Sequence, residues 1–199
     1  MTGLARQLPI TAAEYLAGEK IAKTRHQYVD GEVFAMAGGT KAHNQIAGNL
    51  YGLLRAHLRG TPCQVFIGDV KVHVAWEWRE RYYYPDVVVG CEADDNDPYV
   101  IAHPKLIVEV LSNSTERDDR ADKFYAYRRL SSLEEYVLVA QDMLRVEIYR
   151  RETGWDLELY TESTDPLTLR SIGLSTTVAD IYEGLPELLL TKEEIKKPS

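Results

Sequence analysis

The order in which hydrophobic periods follow one another predicts a mixed α/β (α+β) fold, a mixed β-sheet with α-helices on its faces. Three observations carry this. A 3.6-residue apolar period after Thr40 puts Ile46, Leu50, Leu53, Leu54 and Leu58 on one face of a long helix. A two-residue period from Gln64 to Trp76 marks a strand. The run from Lys105 to Leu111 is apolar on both faces except at Glu109, as in a central strand covered on both sides. Shorter segments complete the order α-β-β-α-β-β-β-α-β-β-β, which places helices against a mixed sheet.

Each element has a local cause. Thr11-Ala12-Ala13-Glu14 is a helix start in which the threonine caps and the glutamate reaches back. Asp30-Gly31 separates His26–Val29 from Glu32–Met36 and predicts a hairpin, because both central positions of the tight turn favour positive φ. Thr40 caps the second helix, which runs to about Leu58. In the strand that follows, Phe66, Gly68, Val70, Val72, Val74 and Trp76 share one face; Val65, Ile67, Asp69, Lys71 and His73 share the other. Glu77–Glu80 breaks it, and Tyr82–Val89 makes the next strand. Asp94–Pro98 is an acidic loop. Ser112–Thr115 introduces a third helix over Glu116–Leu130, with Ala121, Phe124, Tyr125 and Leu130 facing the core. Strands follow at Glu135–Ala140, Leu144–Arg150 and Trp155–Tyr160, and Thr177–Ile195 holds one or two short helices.

A length of 199 residues suits one domain. With 45% hydrophobic and 27% charged residues, wholesale disorder is excluded. The opening MTGLARQLPI has no signal-peptide core, and no apolar run is long enough to span a membrane. A soluble, cytoplasmic protein is expected. Cys63 and Cys91 lack the CxxC spacing of a metal or redox site and are expected to be reduced. The net charge of −8 argues weakly against a general nucleic-acid coat protein. It is unevenly spread: residues 1–80 carry nine Lys/Arg and seven Asp/Glu, and the rest of the chain is strongly acidic.

The chemistry is signalled by carboxylates in apolar strands. Glu109 sits inside Leu106-Ile107-Val108-Glu109-Val110-Leu111, where an unpaired charge is too costly to keep. It must be protonated, paired with a cation or bound to a metal, and a structural ion pair accounts for it as well as a catalytic role does. Asp86 enters Val87-Val88-Val89 directly after Pro85, and alone reads as a strand-initiating residue. Two carboxylates on neighbouring strands raise each other's pKa unless a cation intervenes, and their hard oxygens favour Mg²⁺ or Mn²⁺. Asp69 and Lys71 share a strand face and would stand next to Asp86 if the two strands form a hairpin. Alternatively Lys71 simply neutralises Asp69 in solvent. Lys123 is either a surface partner of Asp119 at i−4 or a site residue. His43 and His73 have no nucleophile beside them and read as polar-edge residues, with His43 able to border the site.

Pro85-Asp86 followed by Glu109 resembles the PD-(D/E)xK nuclease motif. The wider text adds Tyr28-Val29-Asp30-Gly31-Glu32, Ala42-His43-Asn44, Asp69-Val70-Lys71-Val72, Tyr84-Pro85-Asp86-Val87 and Glu109-Val110-Leu111-Ser112-Asn113-Ser114-Thr115, with Asp118, Lys123, Tyr127 and Glu135-Tyr136. Together these resemble the Uma2 family of restriction-endonuclease-like proteins over about residues 10–185, leaving 186–199 as a tail of a single domain spanning 1–199.

The resemblance implies a restriction-endonuclease-like central mixed sheet flanked by helices, and divalent-metal-dependent hydrolysis of DNA phosphodiesters with Mg²⁺ or Mn²⁺. Asp86 and Glu109 carry over as metal ligands, with the Val110 carbonyl as a third. The position two after Glu109, where the motif has lysine, is Leu111; Lys123 of the following helix is the candidate replacement and Lys71 its competitor. Asp69 and Glu32 are further acidic candidates for ligation or water positioning. Symmetric duplex cleavage would need two sites, so a homodimer is expected. Leu111 and the acidic total also admit a second reading, a nuclease-like fold retained for DNA or protein binding without cleavage. Hydrolysis of another phosphate ester fits the same residues.

Overall fold

The structure is a computed structural model that describes residues 9–112 and 116–189. Helix α1 (Ala12–Glu19) starts at Thr11 with the expected reciprocal cap to Glu14. Strands β1 (His26–Val29) and β2 (Glu32–Ala35) form the expected hairpin, with Asp30 and Gly31 at φ 51° and 101°. Gly31 is required twice over, because a Cβ there would lie 2.6 Å from the Cβ of Pro9. Helix α2 (Lys41–His57) is capped by the Thr40 hydroxyl and buries Ile46, Leu50 and Leu54.

The uninterrupted alternation over 64–76 conceals a change of sheet. Strand β3 (Gln64–Ile67) ends where Gly68 turns the chain at φ 68°, and β4 (Lys71–Trp76) joins a different sheet. The expected strand Tyr82–Val89 is divided in the same way. Strand β5 (Arg79–Tyr83) pairs with β4, and β6 (Val87–Gly90) pairs with β3. Pro85 lies at the break, where its missing N–H ends the ladder. The chain continues through β7 (Val100–Ile101), β8 (Pro104–Leu111), α3 (Glu116–Asp118), a π-helical turn at Asp119–Lys123 and α4 (Phe124–Tyr127). After these come β9 (Glu135–Ala140), β10 (Val146–Arg150), β11 (Leu157–Tyr160), β12 (Pro166–Leu169), β13 (Leu174–Thr177), α5 (Val178–Ile181) and α6 (Pro186–Leu189). Residues 190–195 of the predicted terminal helices lie outside the described residues.

The fold is the expected mixture of helices and mixed sheets, but the sheet is not single. A six-stranded sheet runs β11-β10-β9-β8-β6-β3, with β8 and β9 parallel and the other pairs antiparallel. A five-stranded sheet runs β2-β1-β5-β4-β7, and β12–β13 is a separate hairpin. Val87, Val89, Leu106, Val108, Val137 and Val139 share one core with α2 and α5. Val88, Ile107, Leu111, Tyr136 and Leu138 share another with Val72, Val74, Tyr83, Ala126 and Tyr127. Strand β8 is therefore covered on both faces, which is why only Glu109 interrupts its apolar run.

Two further expectations need correction. Cys63 and Cys91, expected as free thiols, form a disulfide. Gln64 is opposite Gly90 in the β3–β6 ladder, so the cysteines flanking that pair face each other with Cα atoms 4.0 Å apart. The helix expected over 116–130 is three short pieces, and Ala121 and Tyr125 are exposed, whereas Lys123, Ala126 and Tyr127 are buried. The wider π turn rotates the residues after it relative to a regular helix, which changes the face turned inward.

Candidate active site

The β6–β8 pairing creates the site. Val87 is opposite Val108 in this antiparallel ladder, so Asp86 and Glu109, the next residues outward, stand across from each other. Period two puts both on the face of Val88, Ile107 and Leu111, away from α2. The Asp86 side chain keeps 22% exposure, whereas Glu109 is 2% exposed.

Asp86 is held by both oxygens. Oδ2 accepts the Val110 amide at 2.7 Å, and Oδ1 lies 2.9 Å from His43 Nε2. His43 comes from the first turn of α2, and among the described residues its buried Nδ1 has no hydrogen-bond partner. The bond to Asp86 holds the imidazole pKa above its ordinary value, outweighing burial.

Glu109 Oε1 accepts from Lys123 Nζ and from the Tyr127 hydroxyl, each at 3.1 Å. Nζ also lies 2.8 Å from Asp119 Oδ1, and the Tyr136 hydroxyl donates to the Asp119 carbonyl at 3.0 Å. Two enclosed carboxylates, Glu109 and Asp119, thus share one ammonium, and Asp86 adds to the negative field around it. Burial pushes the Glu109 carboxyl up to about 8, against the pull of Lys123 and helped by Asp119 and Asp86. Burial lowers the Lys123 pKa, but Glu109, Asp119 and Asp86 together outweigh it and hold it above the ordinary lysine value. Burial raises Tyr127 and Tyr136 well above the ordinary phenol, so both act as neutral O–H donors.

The remaining sequence candidates are placed elsewhere. Asp69 follows Gly68, whose amide donates to the Asp86 carbonyl at 3.0 Å, yet its side chain is 83% exposed and pairs with Arg25. Lys71 is buried in β4 with Nζ 5.0 Å from the Tyr84 ring centroid, and desolvation lowers its pKa. Glu32 is exposed at the start of β2, opposite Val29 on the edge of the second sheet. Val110 meets Asp86 through its amide, whereas the carbonyl expected as a ligand is that residue's other main-chain atom. Among the described residues, no group of three or more His, Cys, Asp or Glu side chains is arranged to hold a metal ion.

Asp119 was missed as a site residue, although its i−4 spacing to Lys123 was the signal that both share a helix face. That spacing read as a surface pair; what changes its meaning is burial, 1% and 5% exposure for the two residues.

With this geometry in view, the comparisons are decisive for family. A family model described as "Uma2: Putative restriction endonuclease" matches residues 12–179. This chain is a member of the Uma2 family. Similar proteins include "Uncharacterized protein slr1290" of Synechocystis sp. (strain ATCC 27184 / PCC 6803 / Kazusa), 38% identical over 178 residues covering 88% of this chain and 93% of that one. A second protein of that organism, "Uncharacterized protein sll1609", is 37% identical over 145 residues, 71% of this chain and 81% of its own. A crystal structure of "a putative nuclease belonging to DUF820" from Anabaena variabilis ATCC 29413 superposes with TM-score 0.72 over 92% of this chain and 100% of that one, at 16% identity. That likeness is one of fold. Family and fold together place this Uma2 chain among restriction-endonuclease-like proteins. Among the described residues no helix is long and apolar enough to cross a membrane.

Proposed function

We propose that this Uma2 protein is a divalent-metal-dependent endonuclease that hydrolyses DNA phosphodiesters. The observation that carries the reading is the opposition of Asp86 and Glu109 on adjacent strands with Lys123 Nζ 3.1 Å from Glu109.

The donor set fits Mg²⁺ or Mn²⁺ by its chemistry. Carboxylate oxygens are the ligands such hard cations take. A carboxylate has about four lone-pair sites, so Asp86 keeps acceptor capacity beside His43 and the Val110 amide. Among the described residues, Asp119 Oδ1 is buried without an aligned hydrogen bond despite the ammonium beside it. With all three carboxylates ionised, Lys123 alone leaves two negative charges over, one of them on Asp86 beside His43. Asp86 and Glu109 would hold the cation, which when bound supplies Lewis-acid polarisation of the phosphate and a water of lowered pKa.

The protein's own groups do the rest. Lys123, kept charged by its carboxylate neighbours, offsets negative charge that builds on the phosphoryl oxygens. His43 fixes the orientation of Asp86, and Tyr127 that of Glu109.

A second reading, a nuclease-like module that binds DNA or a protein without cutting, is favoured by the existing engagement of both Asp86 oxygens. Incubation with supercoiled plasmid and Mg²⁺ or Mn²⁺ at low salt separates the two. The nuclease reading expects metal-dependent nicking that Asp86→Ala abolishes. Wild-type protein that binds the plasmid and leaves it intact under both metals supports the binding module.

A further inference from the structure

Outside the carboxylate cluster, one surface repeats a single chemical pairing of aromatic ring and guanidinium. At the β4–β5 turn Trp78 is 74% exposed. The Arg79 guanidinium lies 4.8 Å from its ring centroid and 5.6 Å from that of Trp76. Trp76 meets Tyr125 of α4 edge-on at 6.1 Å. Tyr125 is 48% exposed and carries the Arg129 guanidinium 4.6 Å from its centroid. Beside it, Phe124 carries Arg128 at 5.7 Å.

The strip is held from below. Arg81 is buried against Trp76 at 4.9 Å, and Asp30 pairs with both Arg81 and Arg79 at 3.0 and 3.1 Å. The outer guanidiniums are less committed: among the described residues neither Arg128 nor Arg129 has a carboxylate within ion-pair distance. Such a row presents flat apolar faces with cationic edges beside them. Planar apolar rings linked by anions match it, and that is the chemistry of nucleobases on a phosphate chain.

Duplex DNA matches less well, since its bases already stack on one another and offer no free faces to Trp78 or Tyr125. The overall charge of −8 also disfavours the broad electrostatic cover that duplex binding uses. Position supports a nucleic acid over a partner protein. The segment whose outer side bears Tyr125 and Arg129 carries Lys123 and Tyr127 to Glu109 on its inner side.

We propose that the strip Trp78–Arg79–Trp76–Tyr125–Arg129 binds an unpaired nucleic-acid strand, with bases stacked on the exposed rings and phosphates at the guanidinium edges. The inference deepens the nuclease reading and rests on it, naming the substrate as single-stranded or locally melted.

The test measures binding in EDTA, so that cleavage plays no part. Fluorescein-labelled (dT)₂₀ and a 20-base-pair duplex are titrated by anisotropy with wild-type protein, Trp78→Ala and Arg129→Gln, following intrinsic tryptophan fluorescence in parallel. The expected result is tighter binding of (dT)₂₀ than of duplex, tryptophan quenching on binding, and a loss of about tenfold or more in Trp78→Ala, the scale of one base–aromatic stack. Arg129→Gln should weaken binding and flatten its salt dependence. Equal affinity for duplex and single strand, or unaltered (dT)₂₀ binding in Trp78→Ala, overturns the proposal. So does self-association that Trp78→Ala abolishes while (dT)₂₀ binding stays unchanged. A protein that nicks plasmid yet fails here loses the strip alone; one that binds here yet never nicks loses the nuclease reading alone.

Discussion

Lys123 Nζ lies 3.1 Å from Glu109 Oε1, although the chain has leucine, not lysine, two residues after that glutamate. The positive charge reaches the carboxylates from the next helical segment. Leu111 itself is buried on the same face of β8 as Glu109.

This geometry makes Lys123→Met costly twice. Removing one partner of a buried ion cluster leaves uncompensated charge and costs about 3–5 kcal/mol, so thermal unfolding of the variant should move down clearly. Plasmid nicking should fall by at least about a hundredfold, the scale of losing one electrostatic stabiliser of a transition state. Because the side chain at 111 shares the face of Glu109, adding Leu111→Lys to Lys123→Met should restore part of the nicking. A single Lys123→Met variant that nicks at the wild-type rate removes the lysine from the mechanism.

In the proposed site His43 would act through Asp86. Its Nε2 sits 2.9 Å from Oδ1, and partners of this kind are worth about 10–100-fold in metal affinity or activity. His43→Ala is expected to lose activity in that range, with much of the loss recovered at higher Mg²⁺. A loss that no Mg²⁺ concentration relieves would give His43 some other role than positioning the carboxylate.

The Cys63–Cys91 bond closes a loop with sequence separation 28. By loop-closure entropy such a link is worth about 3–4 kcal/mol, which corresponds to roughly 10 °C in Tm for a chain of this size. Thermal unfolding with and without reductant, beside Cys63→Ser, measures it. Equal Tm values in all three conditions contradict a stabilising link.

Acid stability should depend on Glu147. This glutamate is 1% exposed; burial pushes its pKa up, but the Arg120 fork, the Tyr149 hydroxyl and Arg145 together hold it below the ordinary value. A depressed carboxyl contributes stability that is present above its unfolded value and lost as pH falls through the folded one. Wild type should therefore lose this contribution below about pH 4.5, the ordinary glutamate value. Glu147→Gln should already lack it at pH 7. Tm measured from pH 3 to 7 should show the two proteins converging at the acid end. A constant gap across that range would mean the ion pairs contribute nothing through charge.

Much of this architecture is legible in the sequence because its signals are local. The hairpin at Asp30-Gly31, the Thr40 cap and the strand Glu135–Ala140 each follow from a few adjacent residues, and the structure has all three. What sequence hides is the change of partner. The alternation from Val65 to Trp76 runs through Gly68 without a gap, so one strand and two strands in different sheets look alike. The opposition of Asp86 and Glu109 could be guessed from apolar surroundings, since each is expensive where it stands. Asp119 could not, because a lysine four residues away looks the same on a surface helix as in a buried turn. The exposed placement of Asp69 depends on the turn at Gly68, which alternation does not reveal.

Asp86 and Glu109 are proposed to form one site for a divalent cation. The most direct measurement is Mn²⁺ binding, followed by electron paramagnetic resonance of the free ion, for wild type, Asp86→Ala and Glu109→Gln. Wild type should bind Mn²⁺ saturably at neutral pH and both variants should lose that binding, with circular dichroism unchanged. Equal Mn²⁺ affinity in all three proteins would contradict that site.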